Sequence, residues 1–306
     1  MTTPDTRTVF DRALVRRRRE RAVLGGDGAD FLFAEVARRL ADRLTDVKRG
    51  FGMGVDLGSR AGHLARAALA TGRVERLYAA DASPELAGRL PVPSVAADEE
   101  VLPFADASLD LVLSSLALHW VNDLPGTLVQ VRRALKPDGL FLAAMFGGET
   151  LWQLREVLME AELSVSGGVS ARVSPMADLR DAAGLLQRAG FALPVADRDS
   201  LTVSYADAWA LMRELGRMGE SNAVRLRAPG PLRRAILAEA ARLYQERHGF
   251  SGGRVRATFE ILYISGWAPA ATQQKPLRPG QATSRLADAL GVEERPAGDI
   301  AIPGNE

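Results

Sequence analysis

Between Phe31 and Val47 the apolar residues Leu32, Val36, Leu40 and Leu44 recur every four positions, the spacing of an amphipathic helix that turns one stripe to a core. Short apolar runs follow near residues 53–57, 76–80, 93–97, 110–114 and 140–145, each of strand length. Parallel strands need crossovers, and residues 123–135 supply the clearest one, with Leu124, Leu128, Val131 and Leu135 on one face and a turn at Pro137 and Gly139. Ser174 and Pro175 open a further helix that runs to Gly190, and residues 191–203 read as a sixth strand. Ser204 with Asp207 has the form of a capping box for a helix through Met218. After the Pro-Gly-Pro break at 229–231 a long helix continues to about His248, and ILYISGW closes a last strand over 258–267. The pattern predicts an α/β protein with a seven-stranded, mainly parallel sheet and helices on both faces. Residues 1–48 form an N-terminal helical extension, 49–271 the main domain, and 205–253 a helical insertion before the last strand. That insertion is either a lid over a site or a cover for the sheet edge. From 272 to 306 the chain is rich in Pro, Gly, Ala and charge, and a flexible tail is expected.

Composition narrows the function. The 306 residues carry a formal net charge of +1, so the whole molecule lacks the field of a nucleic-acid binder. The exception is local, in ALVRRRRERA, which reads as a solvated helix face or as a docking surface for an acidic partner; it has no interleaved aromatics, and no nucleic acid is expected. Cysteine is absent, which excludes disulfides, thiolate metal sites and a cysteine nucleophile. No apolar run approaches the ~20 residues of a membrane span, so the expectation is a soluble, cytoplasmic protein with no transmembrane segment. No His, Asp and Glu cluster has metal-ligand spacing, and no metal site is expected.

Candidate chemistry gathers in the first half. MGVDLGSRAGHLARAALATG takes an apolar run to Asp56, turns through Gly58 and Gly62, and enters a helix. Glycine lets a backbone approach a ligand closely, and the amides opening the helix can hold an anionic group. RLYAADASPELAG then ends a strand on Asp81, about 20 residues on, where a nucleotide fold places the acid for the ribose hydroxyls. Ser83 is a fitting N-cap and Pro84 a fitting first helical residue. The dinucleotide pattern is excluded, because its glycines would fall on Arg60 and His63.

The turn resembles the D-x-G-x-G-x-G motif of class I S-adenosylmethionine-dependent methyltransferases, matched at Asp56, Gly58 and Gly62, with Arg60 in place of the middle glycine. VAADEEVLPFADASLDLVLSSLALHWV and LKPDGLFLAAMF resemble the later motifs of that class in their required order. FDRALVRRRRERA, LALHWVNDLPG, MFGGETLWQLREVL, MGESNA and ILYISGW resemble the methyltransferase-like assembly factors of respiratory complex I and their bacterial relatives, over nearly the whole chain. The malonyl-carrier-protein O-methyltransferases of biotin synthesis are similar more loosely.

The resemblance implies S-adenosyl-L-methionine as cofactor. It implies that Asp56, Gly58, Ser59 and Gly62 hold its methionine end, Asp81 and Ala82 its ribose, Asp98 and Glu99 its adenine, and Ser114 the floor. Arg60 either crowds the cofactor, in a left-handed conformation costing about 1–2 kcal/mol, or pairs with its carboxylate. His119 is a general base or a buried, hydrogen-bonded ring. Glu149 orients a cationic substrate or stabilises the first turn of a helix. Trp152, Tyr205 and Trp209 face a substrate cleft or belong to the core. Implied partners are a complex I iron–sulfur subunit or an acyl carrier protein. Methyl transfer, arginine hydroxylation and a non-catalytic assembly role all remain open on the same fold.

Overall fold

The computed structural model describes residues 8–26, 29–228, 230–273 and 291. Seven strands, β1 (Phe51–Leu57), β2 (Val74–Asp81), β3 (Ser94–Ala96), β4 (Leu109–Ser115), β5 (Leu135–Phe146), β6 (Ala192–Tyr205) and β7 (Val255–Trp267), form one sheet in the order β3-β2-β1-β4-β5-β7-β6. The first five are mutually parallel, and β7 runs antiparallel to both of its neighbours. Strand order reverses between β1 and β4, so their carboxyl ends open the crevice in which such sheets bind ligands.

Two apolar layers cover the sheet. One face carries α2 (Phe31–Thr45), α3 (His63–Ala70), α6 (Trp152–Ser166), α8 (Ala208–Arg217) and α9 (Arg234–His248), through buried residues such as Leu40, Leu64, Leu154, Leu211 and Leu243. The other face carries α5 (Leu124–Ala134) and α7 (Leu179–Arg188), through Leu128 and Leu186. The expected stripe of α2 is fully buried at Leu32, Val36, Leu40 and Leu44. Ser83 caps the short α4 (Pro84–Ala87) by accepting a hydrogen bond from Leu86 N, with Pro84 in the first helical turn.

Several boundaries differ from the pattern. Pro137 to Gly139 do not form a turn between α5 and β5: the helix ends at Ala134, and these residues form an irregularity inside β5, where Asp138 takes φ 62° and the β4 pairing shifts register after Leu109. Asp178, not Ser174, caps α7. Asp207 itself caps α8, its carboxylate accepting from Ala210 N, while Ser204 is still paired with Arg256 in the sheet. Beyond residue 273 the expected tail lies outside the described residues, apart from Gly291. No helix among the described residues is long and apolar enough to cross a membrane.

The arginine run departs most from its expected role. It lies in α1 (Arg12–Leu24), where Arg16 and Arg17 are exposed but Arg18 and Arg19 turn inward. Phe10, just before α1, packs edge-on against Trp120 at 5.2 Å, and its strand-like bridge to Val224 ties α1 to the insertion. The run is therefore neither wholly solvated nor wholly a docking face; half of it is interior.

Candidate active site

Burial and backbone amides organise the turn after β1. Gly58 takes φ 71°, and a Cβ there would overlap that of Ala117, so only glycine allows the turn to touch the loop beyond β4. Arg60 is left-handed at φ 55°, and its amide donates to Asp81 Oδ2 at 2.9 Å while Ser83 N donates to Oδ1 at 2.8 Å. Asp81 thus fastens the ends of β1 and β2 together. Asp56 is buried and accepts from Ser59 Oγ at 2.6 Å. Burial pushes the Asp56 carboxyl up to about 7 and moves that of Asp81 in the same direction.

Two cavities flank this turn. One, of about 140 Å³, is lined by Asp81, Ala82, Asp98 and Glu99 on the sheet side and by Arg12, Val15 and Arg19 on the α1 side. The other, of about 10 Å³, is lined by Asp56, Gly58, Ser59, Arg60, His63 and Ser115. Both are smaller than the ~300 Å³ at which ligand cavities begin: α1 closes the first, where the Arg12 guanidinium bonds both Asp98 and Glu99, and Phe33 and Ala37 of α2 line the second. Arg12 shows that these carboxylates are set to receive N–H donors, which is what an adenine amino group offers. The residues fit S-adenosylmethionine: Asp81 would hold its ribose, Asp98 and Glu99 would hold its adenine, and Asp56 would stand beside the cationic methionine end, with Arg12 displaced from Asp98 and Glu99.

Other candidates fall differently. Ser114 donates to Leu57 O at 2.8 Å and is fully buried between strands, and its neighbour Ser115 lines the small cavity instead. Gly62 closes against Pro91, whose Cδ would lie 2.6 Å from a Cβ. Arg60 takes the left-handed backbone considered for it, and its side chain pairs with Asp30 at 2.6 Å, donates to Met218 O and covers the Phe33 ring at 3.5 Å. Glu149 is exposed and precedes α6, which has no acid in its first turn, and it lines neither the cofactor cavities nor the larger one described below. The buried acid near it is Glu260 on β7, which accepts from Glu149 N at 3.0 Å and leaves room only for glycine at 147. Tyr205 is buried in the core, and Trp152 and Trp209 are partly exposed outside the large cavity.

His119 belongs to a buried charge cluster. Its Nε2 lies 3.2 Å from Glu220 Oε2, which also accepts from Trp120 Nε1 at 2.8 Å. Glu220 Oε1 has no hydrogen-bond partner among the described residues and stands 3.7 Å from Arg19 Nε. Arg19 in turn donates to Leu116 O. Burial pushes the His119 imidazole below its usual value, so the ring is neutral and donates from Nε2. Burial alone would raise the Glu220 carboxyl, but His119, Arg19 and Arg60 outweigh it and keep it below the usual carboxylate range. His119 holds Glu220 in place, and lines neither the cofactor cavities nor the large one.

Glu220 also lines a cavity of about 760 Å³, bounded by α1, α6, residues 172–176 and the insertion. Arg18 faces this cavity and Arg19 the adenosine side, so α1 and Glu220 form the wall between them. Within the insertion, α8 and α9 pack on one face of the sheet, and the segment from Met218 to Arg225 bonds Arg60 and the N-terminal segment at Val9 and Asp11. Sequence reasoning did not find Arg12, Arg19, Asp30 or Glu220 as site residues, although FDRALVRRRRERA and MGESNA had marked the segments that hold three of them.

Comparison with known proteins agrees with this geometry. Residues 55–143 match a family described as methyltransferase domain. The mitochondrial arginine-hydroxylase NDUFAF5 of Danio rerio is 44% identical over 287 residues, covering 92% of this chain and 89% of that protein. A malonyl-acyl-carrier-protein O-methyltransferase of Halorhodospira halophila (strain DSM 244 / SL1) is 35% identical over 294 residues, covering 94% of this chain and 97% of that protein. The crystal structure of BH2331 from Bacillus halodurans C-125 superposes with a TM-score of 0.54 at 17% identity, over 76% of this chain and 99% of that one, a likeness of fold. Fold and cleft define a protein of the class I S-adenosylmethionine-dependent methyltransferase superfamily, an enzyme class. Within it the chain belongs to the family of the arginine-hydroxylase NDUFAF5.

Proposed function

We propose that this protein binds S-adenosylmethionine in the crevice between β1 and β4 and acts on an arginine side chain of a protein substrate, hydroxylating it, with an iron–sulfur subunit of respiratory complex I as the partner. The observation that carries the reading is Glu220: a buried carboxylate, fixed by His119 and Trp120, in the wall between the cofactor cleft and the 760 Å³ cavity. Its Oε1 has no hydrogen bond and stands 3.7 Å from the Arg19 guanidinium, so the carboxylate already faces the kind of cation a substrate arginine would bring. The vertebrate relatives named arginine hydroxylases match this chain at 37–44% identity, above the 35% of the Halorhodospira carrier-protein methyltransferase, which supports the same choice.

A second reading, methyl transfer to a carrier-bound acid, is favoured by the four arginines Arg18, Arg172, Arg225 and Arg227 around the same cavity. Methyl transfer from a sulfonium asks for positioning more than acid–base groups. The discriminating experiment incubates the protein with S-adenosylmethionine, dioxygen and a two-electron reductant, together with complex I subunit or malonyl carrier protein, and weighs the product. A subunit arginine heavier by one oxygen atom supports hydroxylation. A carrier-bound acid heavier by one methylene, with conversion of cofactor to S-adenosylhomocysteine, replaces it with the second reading.

A further inference from the structure

The large cavity adjoins a second, of about 570 Å³, the two sharing Arg172, Val173 and Met176 in their linings. Together they exceed the ~1,000 Å³ that bounds small-ligand cavities, and they make a trench suited to a length of chain. Its floor is apolar, from Leu154, Leu158, Met176 and Leu215. The outer part passes Met159 and Val169, apolar side chains that are half exposed.

Charge along the trench is one-sided. Arg172 is neutralised by Glu162 and Arg155 is spent on the carbonyls of Gly148 and Thr150. Arg18 donates only to the carbonyls of Ser221 and Asn222, and burial together with the nearby Arg227 lowers its pKa. Arg227 reaches Asp11 only at 3.9 Å, and the Arg225 side chain has no partner among the described residues. Among the described residues the one acid in the wall is Glu220, at the end next to the cofactor cleft, where it is held by His119, Trp120 and Arg19. Arg18, Arg225 and Arg227 share only Asp11 as a nearby counter-charge, and such an excess of cations over an apolar floor is complementary to carboxylates carried on an apolar segment.

Resting on the proposed arginine reading, we infer that the trench is the docking site for an acidic segment of the protein substrate: the target arginine reaches Glu220, flanking Asp or Glu side chains meet Arg18, Arg225 and Arg227, and neighbouring aliphatic side chains lie on the Leu154–Leu158 floor.

Three short fluorescein-labelled peptides test this by anisotropy: one arginine flanked by Glu and Leu, the same peptide with Gln for Glu, and the same with Lys for Glu. The acidic peptide is expected to bind at least about tenfold tighter than the Gln form, to weaken as salt rises, and to lose about tenfold on Arg225→Glu or Arg227→Glu. Arg225 is exposed and unpartnered, so its reversal leaves the fold intact. Equal binding of the three peptides, or binding indifferent to Arg225→Glu, overturns the inference. So does decanoate displacing the acidic peptide from the trench as well as unlabelled peptide does, which would give the trench to a small amphipathic anion. An acidic peptide that binds as predicted yet gains no oxygen upholds the docking site and counts against the proposed reaction alone.

Discussion

Arg12 on α1 bonds the carboxylate of Glu99, 87 residues further along the chain, and with Asp98 completes an ion-paired latch across the adenosine cavity. On the proposed placement of the cofactor, Arg12 stands where cofactor N–H groups would lie.

Release of the latch should favour the cofactor. Arg12→Ala frees both carboxylates and loosens α1, and is expected to bind S-adenosylmethionine about three- to tenfold tighter, the effect of relieving a closed state populated in that excess. Calorimetric titration reads it. Weaker binding in the variant would mean that Arg12 contributes to the cofactor site instead of competing with it.

The buried Asp56 makes both stability and binding depend on pH. Its folded pKa is raised from 3.8 to about 7, so its protonated form favours the folded state. That contribution is complete below about 4 and is lost as pH rises through about 7. Thermal denaturation should show the melting temperature of the wild type falling from acidic to mildly alkaline buffer, and a flatter profile for Asp56→Asn. The cationic end of the cofactor favours the ionised carboxylate, so cofactor binding near neutral pH should release a proton and tighten as pH rises. Calorimetry in buffers of different ionisation enthalpy detects that release, and its absence would place the cation away from Asp56.

Glu220 holds together groups from α1, the β4 loop and the insertion. Glu220→Gln leaves the buried Arg19 without its carboxylate, and a loss of about 3 kcal/mol in unfolding free energy is expected, with loss of activity. Arg19→Met in the same chain should restore part of the stability but none of the activity. Denaturant unfolding of the two singles and the double gives the coupling; strict additivity would show that the pair does not interact.

Gly58→Ala tests the close approach of the turn to Ala117. A left-handed alanine and a clash with the loop after β4 predict a loss of about 2–4 kcal/mol. Unchanged stability in denaturant unfolding would mean that the turn can shift.

What the sequence revealed was mostly local. The stripe of α2, the glycine turn, the Ser83 cap with Pro84 and the order of the strands each depend on residues within a few positions of one another. Ser204 misled because a Ser-x-x-Asp spacing mimics a capping box when the aspartate is itself the cap and the serine belongs to a strand. The site was hidden where its partners are remote: Arg12 from Glu99, Arg60 from Met218, and His119 from Glu220, 101 residues away. No periodicity encodes such pairs. The RRRR run looked like surface because charge alone does not say which turn of a helix faces inward.

The central claim is that the crevice at Asp81 holds S-adenosylmethionine. Its most direct test is calorimetric titration of the purified protein with S-adenosylmethionine, beside an Asp81→Ala variant whose fold is verified by circular dichroism. Micromolar binding by the wild type, abolished in the variant, is the predicted result. No heat of binding at millimolar cofactor, or binding undiminished by Asp81→Ala, would contradict it.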